Sequence, residues 1–369
     1  MDYRIEVRDR DFNLLEVIES EAYGILWKYD RIGGCGIFSF DLARKYDDPK
    51  ALSGFYDIRI YKRNSANNYS LWYTGYIEEK RSVLGAKEMI RIKGIGYRGQ
   101  LRDVVVSTSY SDKEISVIVK DILDNYVVPN TDIIYDSGDI EATGFTADSL
   151  EFKTTAWQAL ETLADVTGTR EWGVGADKKF FFKERSSDVG VRFIRGKHVQ
   201  SYKPSFDFRY IKNKLYLEGG DVTGSKYTRD KSDASSILRY GTLEEIIQNT
   251  SITTDTVADQ YLGAILAEKV DLDIKAKLSL VDYSERIEDT IPLPLAEIME
   301  LGVRYGEDYY GNFLYSGDLV YRINHISYRL NNIGGALALV LDLGKTKTSL
   351  SEGFRRLDFE IEQLRQGRV

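Results

Sequence analysis

Three groups of residues in this sequence have the types and spacing to do chemistry: a glycine run, two histidines with one cysteine, and a large stock of carboxylates. Gly94-Ile95-Gly96-Tyr97-Arg98-Gly99 fits the G-x-G-x-x-G pattern that cradles a dinucleotide pyrophosphate. That use requires a helix opening at the third glycine, so that its free amides meet the phosphates. Here Leu101-Arg102 leads into β-branched Val104-Val105-Val106, and the glycines read as turn or bulge positions. His198 and His325 sit in strand-like stretches with no second His or Cys at ligand spacing, which argues against a metal site of the usual kind. Neither lies near a G-x-S-x-G or H-E-x-x-H pattern. Cys35, the one cysteine, lies in Gly33-Gly34-Cys35-Gly36, which reads as the start of a strand rather than as a thiol with a base. The 58 Asp and Glu leave a glycosidase pair open, since such pairs are set by distance in space, but they read better as solvated faces. Tyr309-Tyr310 has rings that could stack on sugars, although strand aromatics more often fill cores and interfaces. The residues therefore point to a protein without catalytic, cofactor or metal residues.

The elements that would position such groups follow from length and periodicity. A chain of 369 residues exceeds what one core fills, because cores stop growing near roughly 250–300 residues, so two or more domains are expected. With 43% hydrophobic and 29% charged residues the chain has a globular composition. Its 26 Tyr, 15 Phe and 4 Trp suit half-buried strands and contact surfaces. A net charge of -8 argues against a protein that holds nucleic acid by neutralising phosphates. With a single cysteine the fold is completed without an intrachain disulfide. The N-terminus lacks the apolar stretch of a secretory signal, and the apolar run from Ala336 to Leu341 is far too short to span a membrane. The chain is expected to be made and assembled in a cytoplasm.

From Tyr3 to about Arg102 apolar and polar residues alternate in short runs, as in Tyr56-Ile58-Ile60 and Leu71-Tyr73, which predicts a barrel or sandwich. The period changes near Ser111, where Ser111 and Glu114 fit a capping box and Ile115, Ile118, Val119, Ile122 and Tyr126 share a helical face. A second helix is predicted over 155–167, buries Trp157, Leu160 and Leu163, and stops at Gly168. A hairpin follows, turned through Gly175-Ala176-Asp177-Lys178. Strands return at 191–194 and 210–217, and 190–218 are expected to complete the first barrel. Thr223 to Ser236 reads as a long polar loop; a helix over 254–269 turns Val257, Tyr261, Ala264 and Ile265 inward; strands at 274–281, 320–330 and 336–343 make a second barrel. The fold class is thus mainly β with an α+β insertion: a discontinuous first barrel (1–105 plus 190–222), the insertion (106–189), a second barrel-like domain with a helix (223–346) and a C-terminal helix (347–369).

The final segment has the most regular spacing. Leu350, Phe354, Leu357, Ile361 and Leu364 follow a heptad a/d seam, with Ser349 and Glu352 as a capping box and charged residues on the outer faces. Each such leucine contributes roughly 1.5–3 kcal/mol when buried, so these residues are the expected oligomer interface. Packing of the helix on its own barrel is the alternative, because the seam covers little more than two heptads.

Several segments in order resemble phage tail-hub, or baseplate-hub, proteins: Trp72-Tyr73-Thr74-Gly75-Tyr76-Ile77 and Ile92-Lys93-Gly94-Ile95-Gly96-Tyr97 with Leu101; Asn213-Lys214-Leu215-Tyr216-Leu217-Glu218-Gly219; Asp233-Ala234-Ser235-Ser236-Ile237 with Arg239-Tyr240-Gly241; the helix 257–269; and Gly317-Asp318-Leu319-Val320-Tyr321-Arg322-Ile323. No one segment is specific; their order over nearly the whole chain carries the resemblance. It implies a homotrimer in which each chain gives two tube-like barrels, so that three chains present a pseudo-six-fold ring to a six-fold tail tube. It also implies a tail tube or distal tail protein as one partner, a spike, fibre or receptor-binding protein at the tip as another, DNA only as transiting cargo, and a place in the virion tail with roles in DNA ejection and host cell entry. Relatives of this kind can continue into a peptidase or muramidase domain after the helix, whereas this sequence stops at Val369. An acidic lumen would repel phosphates and let DNA slide. Two other functions stay open on the residues alone: a tail-associated cell-wall hydrolase, and a receptor- or carbohydrate-binding module.

Overall fold

The computed structural model describes residues 3–43, 52–63, 68–83, 89–168, 170–184, 189–194, 199–270, 273–280, 298–307, 313–333 and 337–345. The alternating N-terminal pattern folds as β1 (Tyr3–Arg8), β2 (Leu14–Ile18), β3 (Ala22–Asp30), β4 (Gly33–Ala43), β5 (Asp57–Arg63), β6 (Tyr69–Val83) and β7 (Met89–Gly96). These pair antiparallel in the order β3-β4-β7-β6-β5-β1-β2. In β4 the inward residues Phe38, Phe40 and Leu42 are buried while Ile37 is exposed, which is the period-two signature seen in the sequence.

A 3-10 helix over Tyr97–Arg102 follows β7, and then β8 (Val105–Glu114) leads into α1 (Ile115–Ile122). Ile115, Ile118, Val119 and Ile122 are buried as the spacing predicted. The cap is Glu114 rather than Ser111: its carboxylate accepts from the amides of Ser116 and Val117, and Ser111 lies within β8. An acceptor at the residue immediately before the helix satisfies the amides directly and makes the reciprocal box unnecessary. β9 (Thr146–Thr155) pairs with β8, and α2 (Ala156–Thr167) is closed by Gly168 at φ 67 and buries Leu160 and Leu163, as expected; Thr155 caps it, and Trp157 is only half-buried. The hairpin is also as expected, with β10 (Arg170–Val174) against β11 (Phe180–Glu184).

β12 (Val189–Ile194) and β13 (Val199–Asp207) find partners other than those expected. β12 pairs with β18 (Ile298–Glu307) and β13 with β17 (Asp273–Leu280), so neither returns to the N-terminal strands. β14 (Lys214–Val222) lies between β15 (Ser225–Ser232) and β16 (Glu244–Gln248) in a separate three-stranded sheet. The stretch read as a polar loop is therefore β15 followed by a short helix, α3 (Ala234–Tyr240). Its polarity has a physical cause. β15 docks on α4 (Asp255–Lys269) through charge, with the Arg229 guanidinium donating twice to Asp259 (3.0 and 2.8 Å) and the Tyr227 hydroxyl donating to Asp255 (2.6 Å). In α4 the buried face is Val257, Ala258, Tyr261, Leu262 and Leu266, one step round from the expected face; Ala264 and Ile265 are half-buried.

β19 (Phe313–Asn332) and β20 (Leu337–Lys345) complete the C-terminal strands. β19 pairs with β20 and β18, and along Tyr23–Asp30 with β3. The N- and C-terminal strands are thus edges of one another, and among the described residues they make a single 15-stranded sheet. One core lies on this sheet and mixes both halves, with Ile5, Trp27, Phe40 and Tyr73 beside Ile326, Tyr328 and Leu341. A second core gathers α1, α2 and the hairpin together with Leu215 and Leu217 of β14 and Val257 and Leu262 of α4.

Candidate functional site

The residues with chemical potential converge on the turn between β3 and β4. Asp30, the last residue of β3, accepts a hydrogen bond from Nδ1 of His325 on β19 at 2.8 Å and an ion pair from Arg98 in the 3-10 helix. The next residue, Arg31, donates its amide to Asn324 (2.8 Å) and its guanidinium to Glu171 of β10 (3.1 Å). One turn therefore binds the C-terminal strands, the glycine-rich segment and the insertion. Burial alone raises the Asp30 carboxyl; the hydrogen bond from His325 and the charge of Arg98 outweigh it and hold the group below the usual carboxylate range.

The glycines are what allow the approach. Gly33 and Gly34 lie beside Gly173 and Val174 in a short parallel bridge, and a Cβ on Gly34 would sit 2.1 Å from the Val174 carbonyl oxygen. Gly34 also has φ +76, in the left-handed region that favours glycine. In the G-x-G-x-x-G run, a Cβ on Gly94 would meet the Tyr76 carbonyl oxygen at 1.9 Å and one on Gly96 the Cys35 carbonyl oxygen at 2.2 Å. The run thus packs strands and does not open an α-helix toward a phosphate; its helix is one 3-10 segment whose residues Tyr97, Arg98 and Leu101 are buried.

A second polar centre lies under the hairpin turn. Asp57 accepts from the Tyr97 hydroxyl (2.6 Å) and from Arg59 (2.7 Å), and the Lys178 ammonium reaches it at 3.4 Å. That ammonium also lies 3.3 Å from the Phe12 ring centroid and 4.1 Å from that of Tyr97. Burial lowers the Lys178 pKa against the pull of Asp57. Charge and rings together clamp the insertion to the first strands.

No family model matches the sequence, and no curated protein matches it. Solved structures do. The 43 kDa tail protein of prophage MuSo2 from Shewanella oneidensis superimposes with a TM-score of 0.62 at 14% identity, over 93% of this chain and 97% of that one. A tail protein from Neisseria meningitidis gives 0.61 at 15% identity, over 94% and 97%. The chain has the fold of phage tail proteins. A prophage tail protein from Listeria monocytogenes extends the likeness to 97% of this chain and 98% of that one, at a TM-score of 0.55 and 11% identity.

Within this tail-protein fold the predicted residues fall as follows. Leu350, Phe354, Leu357, Ile361 and Leu364 lie outside the described residues, as do His198 and Tyr309-Tyr310. His325 is the structural partner of Asp30. Cys35 opens a buried stretch of β4, and burial pushes its thiol up to about 12, which keeps it protonated. Among the described residues no group of His, Cys, Asp and Glu could hold a metal, and no helix is long and apolar enough to cross a membrane. Sequence reading missed the Asp30 turn. Its signal was the spacing of Asp30-Arg31 before Gly33-Gly34, which is legible only once Arg98, Glu171 and His325 are known to be near. Also unforeseen is β2, an end strand of the sheet on which Leu14, Leu15 and Val17 are 50%, 43% and 37% exposed. Aliphatic side chains on a strand that has no second partner among the described residues suit contact with another chain.

Proposed function

We propose that this protein is the structural hub subunit at the tip of a phage tail. Three copies form a ring that adapts the six-fold tail tube to a three-fold tip and leaves a lumen through which DNA passes. The observation that carries this reading is the fusion of an N-terminal and a C-terminal set of strands through β3 and β19 into one sheet, in the fold of tail proteins. On this reading each chain's two strand sets act as tube-like barrels, and the two become six around a three-fold axis. The net charge of -8 suits a wall along which DNA slides. The partners on this reading are a tail tube or distal tail protein above and a spike, fibre or receptor-binding protein below, and the protein works in the virion tail without catalysis.

The seam Leu350, Phe354, Leu357, Ile361 and Leu364 joins the copies on this reading. Sedimentation equilibrium of the full chain tests it: a trimer is expected, and Leu357→Asp with Ile361→Asp shifts it toward monomer while circular dichroism stays unchanged. A stable monomer both before and after substitution contradicts it.

A further inference from the structure

The turn after β1, the loop before β5, the end of the 3-10 helix and the start of β8 line an open-mouthed cavity of ≈ 610 Å³. Small-ligand sites occupy roughly 300–1,000 Å³. Of its lining residues only Tyr76 touches the Asp57 cluster, edge-on against Tyr97 at 5.8 Å; Arg10, Phe55, Asp103 and Asn130 belong to neither polar centre.

Phe55 is the unusual residue here. It is 61% exposed and has φ 65, a backbone conformation that costs free energy for a bulky side chain and persists only where its surroundings hold it. The holding contacts are present: the Phe55 amide donates to the Ile77 carbonyl (2.8 Å), the Ile77 amide donates to the Tyr56 carbonyl (3.0 Å), and the ring stacks on Tyr76 with centroids 6.0 Å apart at 22°. A large apolar ring is thus fixed and presented to solvent at the cavity.

Val104 and Val105 add a small apolar patch, and the remaining groups around the ring are polar and of mixed kind. The Arg10 guanidinium lies 5.5 Å from the Phe55 centroid. Asp103 supplies a carboxylate, and neither it nor Arg10 has an ion-pair partner among the described residues. Asn130 spends its amide nitrogen on the Tyr126 carbonyl (2.8 Å), which leaves its side-chain oxygen as an acceptor. Gln100 is locked in place by a two-way exchange with Asp132 (2.8 and 3.0 Å) and shapes the wall.

This composition selects among ligand classes. One cation and one anion give no net attraction for a phosphate-rich ligand. An aliphatic chain would leave Arg10, Asp103 and Asn130 without partners and desolvated. A neutral ring bearing hydroxyl groups satisfies both requirements: its C–H face lies on Phe55, and its adjacent hydroxyls donate to Asp103 and Asn130 and accept from Arg10. We propose that this cavity binds a neutral saccharide. The inference rests on the cavity alone and holds whether or not the chain forms a trimeric hub.

The test is ligand-observed saturation-transfer NMR on the full-length protein with cellobiose, maltose, chitobiose and glucose 6-phosphate as probes. Phe55→Gly removes the ring and relieves the left-handed backbone, so folding is retained; Asp103→Asn removes the charge and keeps the shape. Binding of at least one neutral disaccharide is expected, weakened about tenfold or more by Phe55→Gly and severalfold by Asp103→Asn, at an unchanged melting temperature. Preference for chitobiose over the hexose disaccharides would mark an amino-sugar source such as peptidoglycan. Silence of all neutral probes, tighter binding of the phosphorylated sugar, or binding that both variants leave untouched would each overturn the proposal. So would Phe55→Gly altering association of the protein with itself or a tail partner while every sugar stays silent, which would mark a protein-binding surface.

Discussion

Trp27 on β3 and Tyr328 on β19 face each other across paired strands with their rings nearly parallel, 9° apart in plane and 5.1 Å between centroids. Both are fully buried, and Trp72 meets the same Tyr328 ring edge-on at 5.4 Å. Residues from the two ends of the sequence therefore share one aromatic cluster. The seam between the strand sets is packed as a core, not as a contact between separate bodies.

Removal of either ring should be costly. Trp27→Ala or Tyr328→Ala is expected to destabilise the protein by about 3–5 kcal/mol, as large aromatic truncations in cores do. A double-mutant cycle in urea should find coupling of about 0.5–1.5 kcal/mol between them. Additive losses would mean that the stack contributes only its buried area.

The Asp30 turn predicts an acid dependence whose sign is fixed by the direction of its shift. Burial raises the carboxyl, but the His325 hydrogen bond and Arg98 bring it below its unfolded value. Its stabilisation is then fully present above the unfolded carboxylate pKa of about 3.9 and is lost as pH falls through the folded value. Asp30→Asn should be markedly less stable than the native protein near neutral pH, with the difference shrinking below about pH 4. Urea titrations across that range check it; a difference constant with pH would exclude the carboxylate as its source.

Two glycines should behave oppositely. Gly34→Ala sets a methyl against the Val174 backbone at φ +76, so a loss of about 1–3 kcal/mol is expected, with undocking of the hairpin. Gly138→Ala has nothing within 4 Å of the new Cβ and should be close to neutral. Thermal melts of the two variants side by side decide the matter.

Cys35 provides a chemical readout of the same region. Buried and with its thiol raised to about 12, it should resist a disulfide reagent in the folded protein and react once urea opens the sheet. Rapid modification under native conditions would mean that the β3–β4 turn opens easily.

Much of this fold was legible in the sequence, and the exceptions have physical reasons. Thr155 and Gly168 bracketed α2 because caps act locally, and period-two alternation identified β5 because Ile58 and Ile60 are buried while Arg59 and Tyr61 between and after them are not. Alternation identifies a strand but not its partner, which is why 190–218 were expected to complete the first barrel although β12 and β13 pair with β18 and β17, and β14 with β15 and β16. β15 was read as a loop because Arg229 and Tyr227 bind α4 by charge and hydrogen bonds, and hydrophobic periodicity does not register these. The Asp30 turn was hidden for a related reason: its partners, Arg98, Glu171 and His325, come from three distant parts of the chain.

Electron microscopy of the purified full-length protein, with class averages viewed along the symmetry axis, tests the hub account most directly. The account predicts a three-lobed ring whose inner wall has near-six-fold features around an open central hole. Single compact particles without a hole, at concentrations where the protein is fully associated, would contradict it.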